Sequence, residues 1–140
     1  MKQAVHRIEI RTRGKGFTDF TAQVDAWLKH TGIVDGLLTV FCQHTSASLL
    51  IQENADPDVV RDLTDYFERI APENDPHYRH TLEGADDMPA HIKTALTSTS
   101  LSVPVIGGEM ALGTWQGLYL FEHRSAPHRR TVALHILGDS

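Results

Sequence analysis

The sequence predicts an α+β fold in a single domain of 140 residues: a mostly antiparallel sheet or sandwich with two main helices and one short helix. Three observations predict it. Periodic segments run strand, helix, two strands, helix, loop, short helix, three strands, which is not the alternation of a doubly wound sheet. Strands at the C-terminal end follow one another closely enough for hairpins, with Gly107-Gly108 as a turn. Hydrophobic content of 41% with 22% charged residues fits a soluble globular core.

The first strand, Ala4 to Thr12, alternates through Val5, Ile8 and Ile10 and stops at the turn Arg13-Gly14-Lys15-Gly16. Thr18 or Asp19 then caps a helix carrying Phe20, Val24, Trp27 and Leu28 on one face, ended by Gly32. Leu37 to Gln43 is apolar on both parities, the pattern of a central strand covered on two sides. After a break at His44-Thr45-Ser46, Ala47 to Gln52 resumes as a strand. Asp56-Pro57 is a helix start, and Val60, Leu63, Phe67 and Ile70 form its stripe. Pro72 to Met88 reads as a long loop, of a length that is usually functional or disordered, and Pro89 to Leu96 as a short helix. Leu101 to Val105, Gly113 to Glu122 and Arg130 to Leu137 complete the strands.

The charge balance excludes some partners. Thirteen basic against eighteen acidic residues leave a net charge of -5, and the one dense basic cluster is His128-Arg129-Arg130 with Arg124 before it. That cluster can hold a phosphate or two but not track a duplex, so nucleic acid is not the expected partner. No apolar run approaches the roughly 20 residues of a membrane span, and Met1 to Arg7 lack the apolar centre expected of a signal peptide. The single cysteine, Cys42, lies in an apolar run and reads as a buried small hydrophobe, so a cytoplasmic setting is expected.

Nine histidines stand out in the composition. Four segments concentrate polar chemistry. In His44-Thr45-Ser46-Ala47-Ser48, hydroxyls at a strand end suit an anionic oxygen or phosphate, although the segment taken alone reads more readily as an ordinary turn. In Gln52-Glu53-Asn54, Glu53 needs solvent or a partner. In Glu83 to Lys93, Asp86 or Asp87 caps the short helix, leaving the other acid, His91 and Lys93 as a polar lip for a cation and a phosphate. In Gly113 to Arg124, period two places Tyr119, Phe121 and His123 on one face and Leu118, Leu120 and Glu122 on the other, while Trp115 is a stacking platform or a packed tryptophan. His6, His30, His77, His80 and His128 read as solvated, and His135 as a core or interface residue.

Together these segments resemble the YjbQ family, called secondary thiamine-phosphate synthases. The resemblance is carried by His44-Thr45-Ser46-Ala47-Ser48-Leu49, Glu53-Asn54-Ala55-Asp56-Pro57, Glu83 through Lys93, Gly113-Thr114-Trp115-Gln116-Gly117 and Glu122-His123-Arg124. Their order and spacing match over essentially the whole chain; Gln52 stands where asparagine is expected, and distant relatives do not require His123. The resemblance implies a homotrimer of α+β subunits. It implies a secondary activity joining a hydroxymethylpyrimidine pyrophosphate to a thiazole phosphate with release of pyrophosphate. On that expectation magnesium bridges the leaving group, Lys93 or Arg124 shares its charge, and Asp87 and Glu53 contact the ion or its water. Thr45, Ser46 and Ser48 then meet phosphate oxygens and Trp115 covers a ring, with His44 and His91 as metal or catalytic residues. If His44, His91 and His123 converge instead, zinc or another transition metal is the better occupant. The chain would then be a metal-dependent hydrolase or lyase on a phosphorylated metabolite. A third reading is a non-enzymatic oligomeric ligand-binding protein.

Overall fold

Eleven elements form in the computed structural model, which describes residues 1–140. They are β1 (Lys2–Arg11), β2 (Gly16–Asp19), α1 (Thr21–Thr31), β3 (Asp35–Cys42), β4 (Ala47–Glu53), α2 (Pro57–Ile70), α3 (Asp87–Leu96), β5 (Ser100–Ile106), β6 (Glu109–Met110), β7 (Gln116–Glu122) and β8 (Arg129–Asp139). Two sheets result, a five-stranded one in the order β1-β8-β3-β5-β6 and a three-stranded one in the order β2-β7-β4. Every pairing is antiparallel, so the α+β class and the antiparallel sandwich hold. No helix is long and apolar enough to cross a membrane.

The sheets face each other across one core. Leu38, Val40, Val103, Val105, Val132, Leu134 and Ile136 come from the larger sheet and Leu49, Leu118 and Leu120 from the smaller, with Phe20, Val24 and Leu28 closing one side. Period two sends Tyr119, Phe121 and His123 to the opposite face of the smaller sheet, where α2 packs and Phe67 meets the Phe121 ring edge-on at 5.3 Å. At α2 the expected start is observed, with Asp56 Oδ1 accepting from the Asp58 N–H at 2.9 Å.

Four local expectations change. Gly16–Asp19, read as the end of a turn and a cap, is the edge strand β2. Phe20 stands at the N-cap of α1 with no side-chain capping bond, and Asp19, the residue before it, accepts from the Thr21 N–H at 2.9 Å. The β3 strand is covered on one side only: Leu37 and Phe41 remain 49% and 45% exposed on the outer face. The α3 helix begins at Asp87 with Asp86 at the N-cap position, but the Asp86 carboxylate makes no capping bond because it is turned toward Arg124 and the Ser125 N–H. Ile70, the last residue of the α2 stripe, lies exposed beyond the packed part of the helix.

Candidate metal centre

The loop between α2 and α3 folds back so that His80 meets the first turn of α3. Asp87 is 2% exposed there. Its Oδ2 accepts from His80 Nε2 at 2.6 Å and from His91 Nε2 at 3.1 Å, the latter one turn along the same helix face. The two imidazoles lie 5.3 Å apart at 66°. Asp87 Oδ1 accepts from Arg124 Nη1 at 2.7 Å, and Arg124 also donates through Nε to Asp86 Oδ2 at 2.9 Å and through Nη2 to the Glu83 carbonyl at 2.9 Å. Burial alone would raise the Asp87 carboxyl. The His80 hydrogen bond and the charges of Arg124 and His91 outweigh it and hold the group below the usual carboxylate range.

One ligand atom from each of His80, Asp87 and His91 lies within 4.8 Å of the other two. Two imidazole nitrogens and one carboxylate oxygen, backed by an arginine that fixes the carboxylate, fit zinc or another borderline transition metal better than magnesium, which favours an all-oxygen shell. Beside it opens a cavity of about 170 Å³, whose walls include Asn74, Tyr78, His80, Thr81 and Met88. The centre thus combines a donor set with room for a small ligand.

Of the residues singled out in the sequence, the fold brings together Asp87, His91 and Arg124 and leaves His44 and His123 elsewhere. His44 Nε2 accepts from the Thr131 N–H at 2.8 Å, and burial together with the Arg130 charge holds its pKa down. His123 is fully buried, with Nε2 2.9 Å from Ser48 Oγ, which in turn lies 2.6 Å from Thr97 Oγ1. Burial, reinforced by the Lys93 charge, lowers its pKa to about 3, so the ring is neutral, and its Nδ1 has no partner. The expected His44–His91–His123 centre is therefore replaced by one built on His80. The reason is tertiary packing: a backbone N–H occupies His44 Nε2 and a serine hydroxyl occupies His123 Nε2.

The expected phosphate ligands are also engaged. Lys93 is buried against Glu68, which a second cation, Lys15, holds at 3.0 Å. Ser46 receives Arg130 Nη2 on its carbonyl at 3.2 Å and on Oγ at 3.0 Å, while Thr45 is exposed. Glu53 and Trp115 stand at the far end: Glu53 pairs with Gln116 and Ala47 with Glu122, so β4 and β7 separate these ends by about 20 Å. Trp115 is 62% exposed there.

Two residues carry contacts that the sequence pattern does not assign them. His80 reads as solvated and is exposed, yet its ring reaches Asp87; the length of its loop is the one sequence signal for that contact. Glu122 ends β7 fully buried, ion-paired to Arg130 and accepting from Thr12 Oγ1 at 2.6 Å. Those bonds outweigh burial and keep it ionised.

Comparison with known proteins agrees with this architecture. The family model described as UPF0047 protein YjbQ-like matches residues 6–139. UPF0047 protein sll1880 of Synechocystis is 52% identical over 93% of this chain and 88% of its own. UPF0047 protein YugU of Bacillus subtilis is 38% identical over 91% and 93% respectively. Among solved structures, a YjbQ/UPF0047 protein of Clostridium acetobutylicum superposes with a TM-score of 0.87 at 36% identity, covering 94% of this chain and 99% of that one. The conserved protein TT1486 of Thermus thermophilus gives a TM-score of 0.84 at 36% identity, with coverage of 94% and 99%. Shared sequence and shared fold over nearly the full length lead to one assignment: the chain belongs to the YjbQ (UPF0047) family.

Proposed function

We propose that this protein is a transition-metal-dependent enzyme acting on a small phosphorylated metabolite, with His80, Asp87 and His91 as the metal ligands. The observation that carries the proposal is the approach of three ligand atoms to within 4.8 Å of one another around a buried carboxylate. A phosphorylated substrate is supported by the resemblance to thiamine-phosphate synthases. Because Lys93 and Arg124 are both paired with acids, neither is free to neutralise a leaving pyrophosphate, and that task falls to an ion. A bound metal would supply Lewis acidity toward a phosphoryl or leaving-group oxygen. Asp87 orients both imidazoles, and Arg124 holds Asp87 in place. The cavity walled by the 72–88 loop admits the substrate beside His80.

Metal content of protein purified without a tag tests this reading. About one transition-metal ion per chain is expected in the wild type and a substoichiometric amount in His80→Ala and His91→Ala. A metal-free wild type that also fails to bind added zinc would overturn it. Formation of thiamine phosphate from the pyrimidine pyrophosphate and the thiazole phosphate is the reaction to assay first. Asp87→Asn should lower it by more than the roughly 10–100-fold typical of losing an outer partner of a metal ligand.

Self-association, the homotrimer expected from the family, belongs to the same reading. The outer face of the five-stranded sheet exposes Val5, Leu37, Phe41, Ile106 and Leu137, a surface that suits a second copy of the chain. A lone unpaired cysteine supports a cytoplasmic location.

A further inference from the structure

The geometry points to Arg124 as a positioning residue that fixes one oxygen of Asp87 so that the other is presented to His80, His91 and the ion they would hold. This deepens the metal-centre reading and rests on it for the ion. The sequence suggested the opposite, a cation sharing the charge of a phosphate leaving group.

Three observations carry the inference. Each guanidinium nitrogen already has an acceptor within the protein: Nε on Asp86 Oδ2 at 2.9 Å, Nη1 on Asp87 Oδ1 at 2.7 Å and Nη2 on the Glu83 carbonyl at 2.9 Å. A planar fork that grips a carboxylate, a second carboxylate and a carbonyl has one orientation, and only arginine supplies it. The backbone is shaped around that fork. Gly84 turns at φ +104°, and a Cβ there would come within 3.0 Å of Asp86 Oδ1 and 3.7 Å of Arg124 Nη2. The Ser125 N–H, next along from Arg124, adds a bond to Asp86 Oδ2 at 2.8 Å and ties the loop to the end of β7 a second time.

Charge points the same way. Glu83, Asp86 and Asp87 surround one arginine, and Glu83 Oε2 lies 3.9 Å from His80 Nε2. Such a pocket attracts a divalent cation, and a phosphate is then met through that ion and not by the arginine. Freed from Arg124, Asp87 could turn its plane, and neither imidazole would keep its acceptor. Residues that hydrogen-bond to metal ligands orient them in this manner.

Arg124→Lys tests the inference because it keeps the charge and loses the fork. Affinity for zinc, read by competition with a chelator, should fall about 10–100-fold. The visible spectrum of the cobalt-substituted protein should change with it, while thermal unfolding of the metal-free protein marks the fold as retained. Asp86→Asn, which removes one arm without touching a ligand, should act in the same direction and carries the test if Arg124→Lys does not fold. Wild-type zinc affinity and an unchanged cobalt spectrum in the folded variants would overturn the role. A second readout needs no metal: the Nε2–H protons of His80 and His91, followed by nitrogen-15 NMR, should be protected in the wild type and exchange rapidly in Arg124→Lys. If the wild type binds no zinc or cobalt, the metal centre fails. The positioning of Asp87 then stands or falls on that second readout alone, and equal protection in wild type and variant overturns it.

Discussion

His123 shows how much of a residue's behaviour depends on what surrounds it. Alternation along β7 places it on the face of Tyr119 and Phe121, and that much was legible in the sequence. Its hydrogen-bond partner, Ser48, lies 75 residues away and only the pairing of β4 with β7 brings it near. Because burial lowers its pKa from 6.5 to about 3, the unfolded chain binds a proton there that the folded chain refuses. The stability this contributes is full above about pH 6.5 and is lost as pH falls toward 3, at up to about 1.4 kcal/mol per pH unit. His44 shifts in the same direction. Glu122, Asp86 and Asp87 also have depressed pKa values, but their contribution starts to disappear only near and below the ordinary carboxylate range. Urea unfolding between pH 7 and pH 5 therefore isolates the histidines. The wild type should lose stability across that window, and His123→Gln should lose markedly less. Equal slopes in the two proteins would refute the assignment.

At the scale of elements, local signals succeeded where a cap or a period is decisive. Asp56-Pro57 opened α2 where expected, and β7 and β8 follow their alternation. They failed where the deciding contact is distant. The β2 strand has only four residues and exists because it pairs with β7 from Gly16↔Glu122 to Asp19↔Tyr119, which no local pattern announces. The pairing of β3 with β8 makes a testable demand of its own. Gly36 and Gly138 face each other across the ladder, and a Cβ on Gly138 would run into the Asp35 carbonyl and the Gly36 Cα. These are backbone atoms of a central strand and cannot swing aside. Gly138→Ala should lower stability by roughly 1–3 kcal/mol, the range for overpacking a fitted site. An unchanged urea midpoint would show that the ladder relaxes at its end.

For the whole molecule, the division between a buried and an open face sets the behaviour in solution. One face of the five-stranded sheet packs on the core; the other leaves Phe41 45% and Val5 74% exposed. The sequence read β3 as apolar on both sides, which is accurate as a pattern, but within one chain only one side is covered. Phe41→Asp places a charge in the middle of that open face and leaves the core untouched. If copies of the chain meet there, analytical ultracentrifugation should give a smaller species for the variant, with its circular dichroism unchanged. Equal sedimentation of variant and wild type would place any interface elsewhere.

By itself the sequence determined the α+β class, the sites of most helices and strands, and the segments that carry polar chemistry. Those depend on periodicity, capping and turn residues, which act within a few positions along the chain. Tertiary structure decided which of the nine histidines share a carboxylate. His91 meets Asp87 through helical spacing, but His80 arrives by the return of a loop, and the rings of His44 and His123 go to Thr131 and Ser48 instead. Convergence on a ligand is a matter of a few ångströms between atoms that belong to different elements, and packing rather than spacing sets that distance.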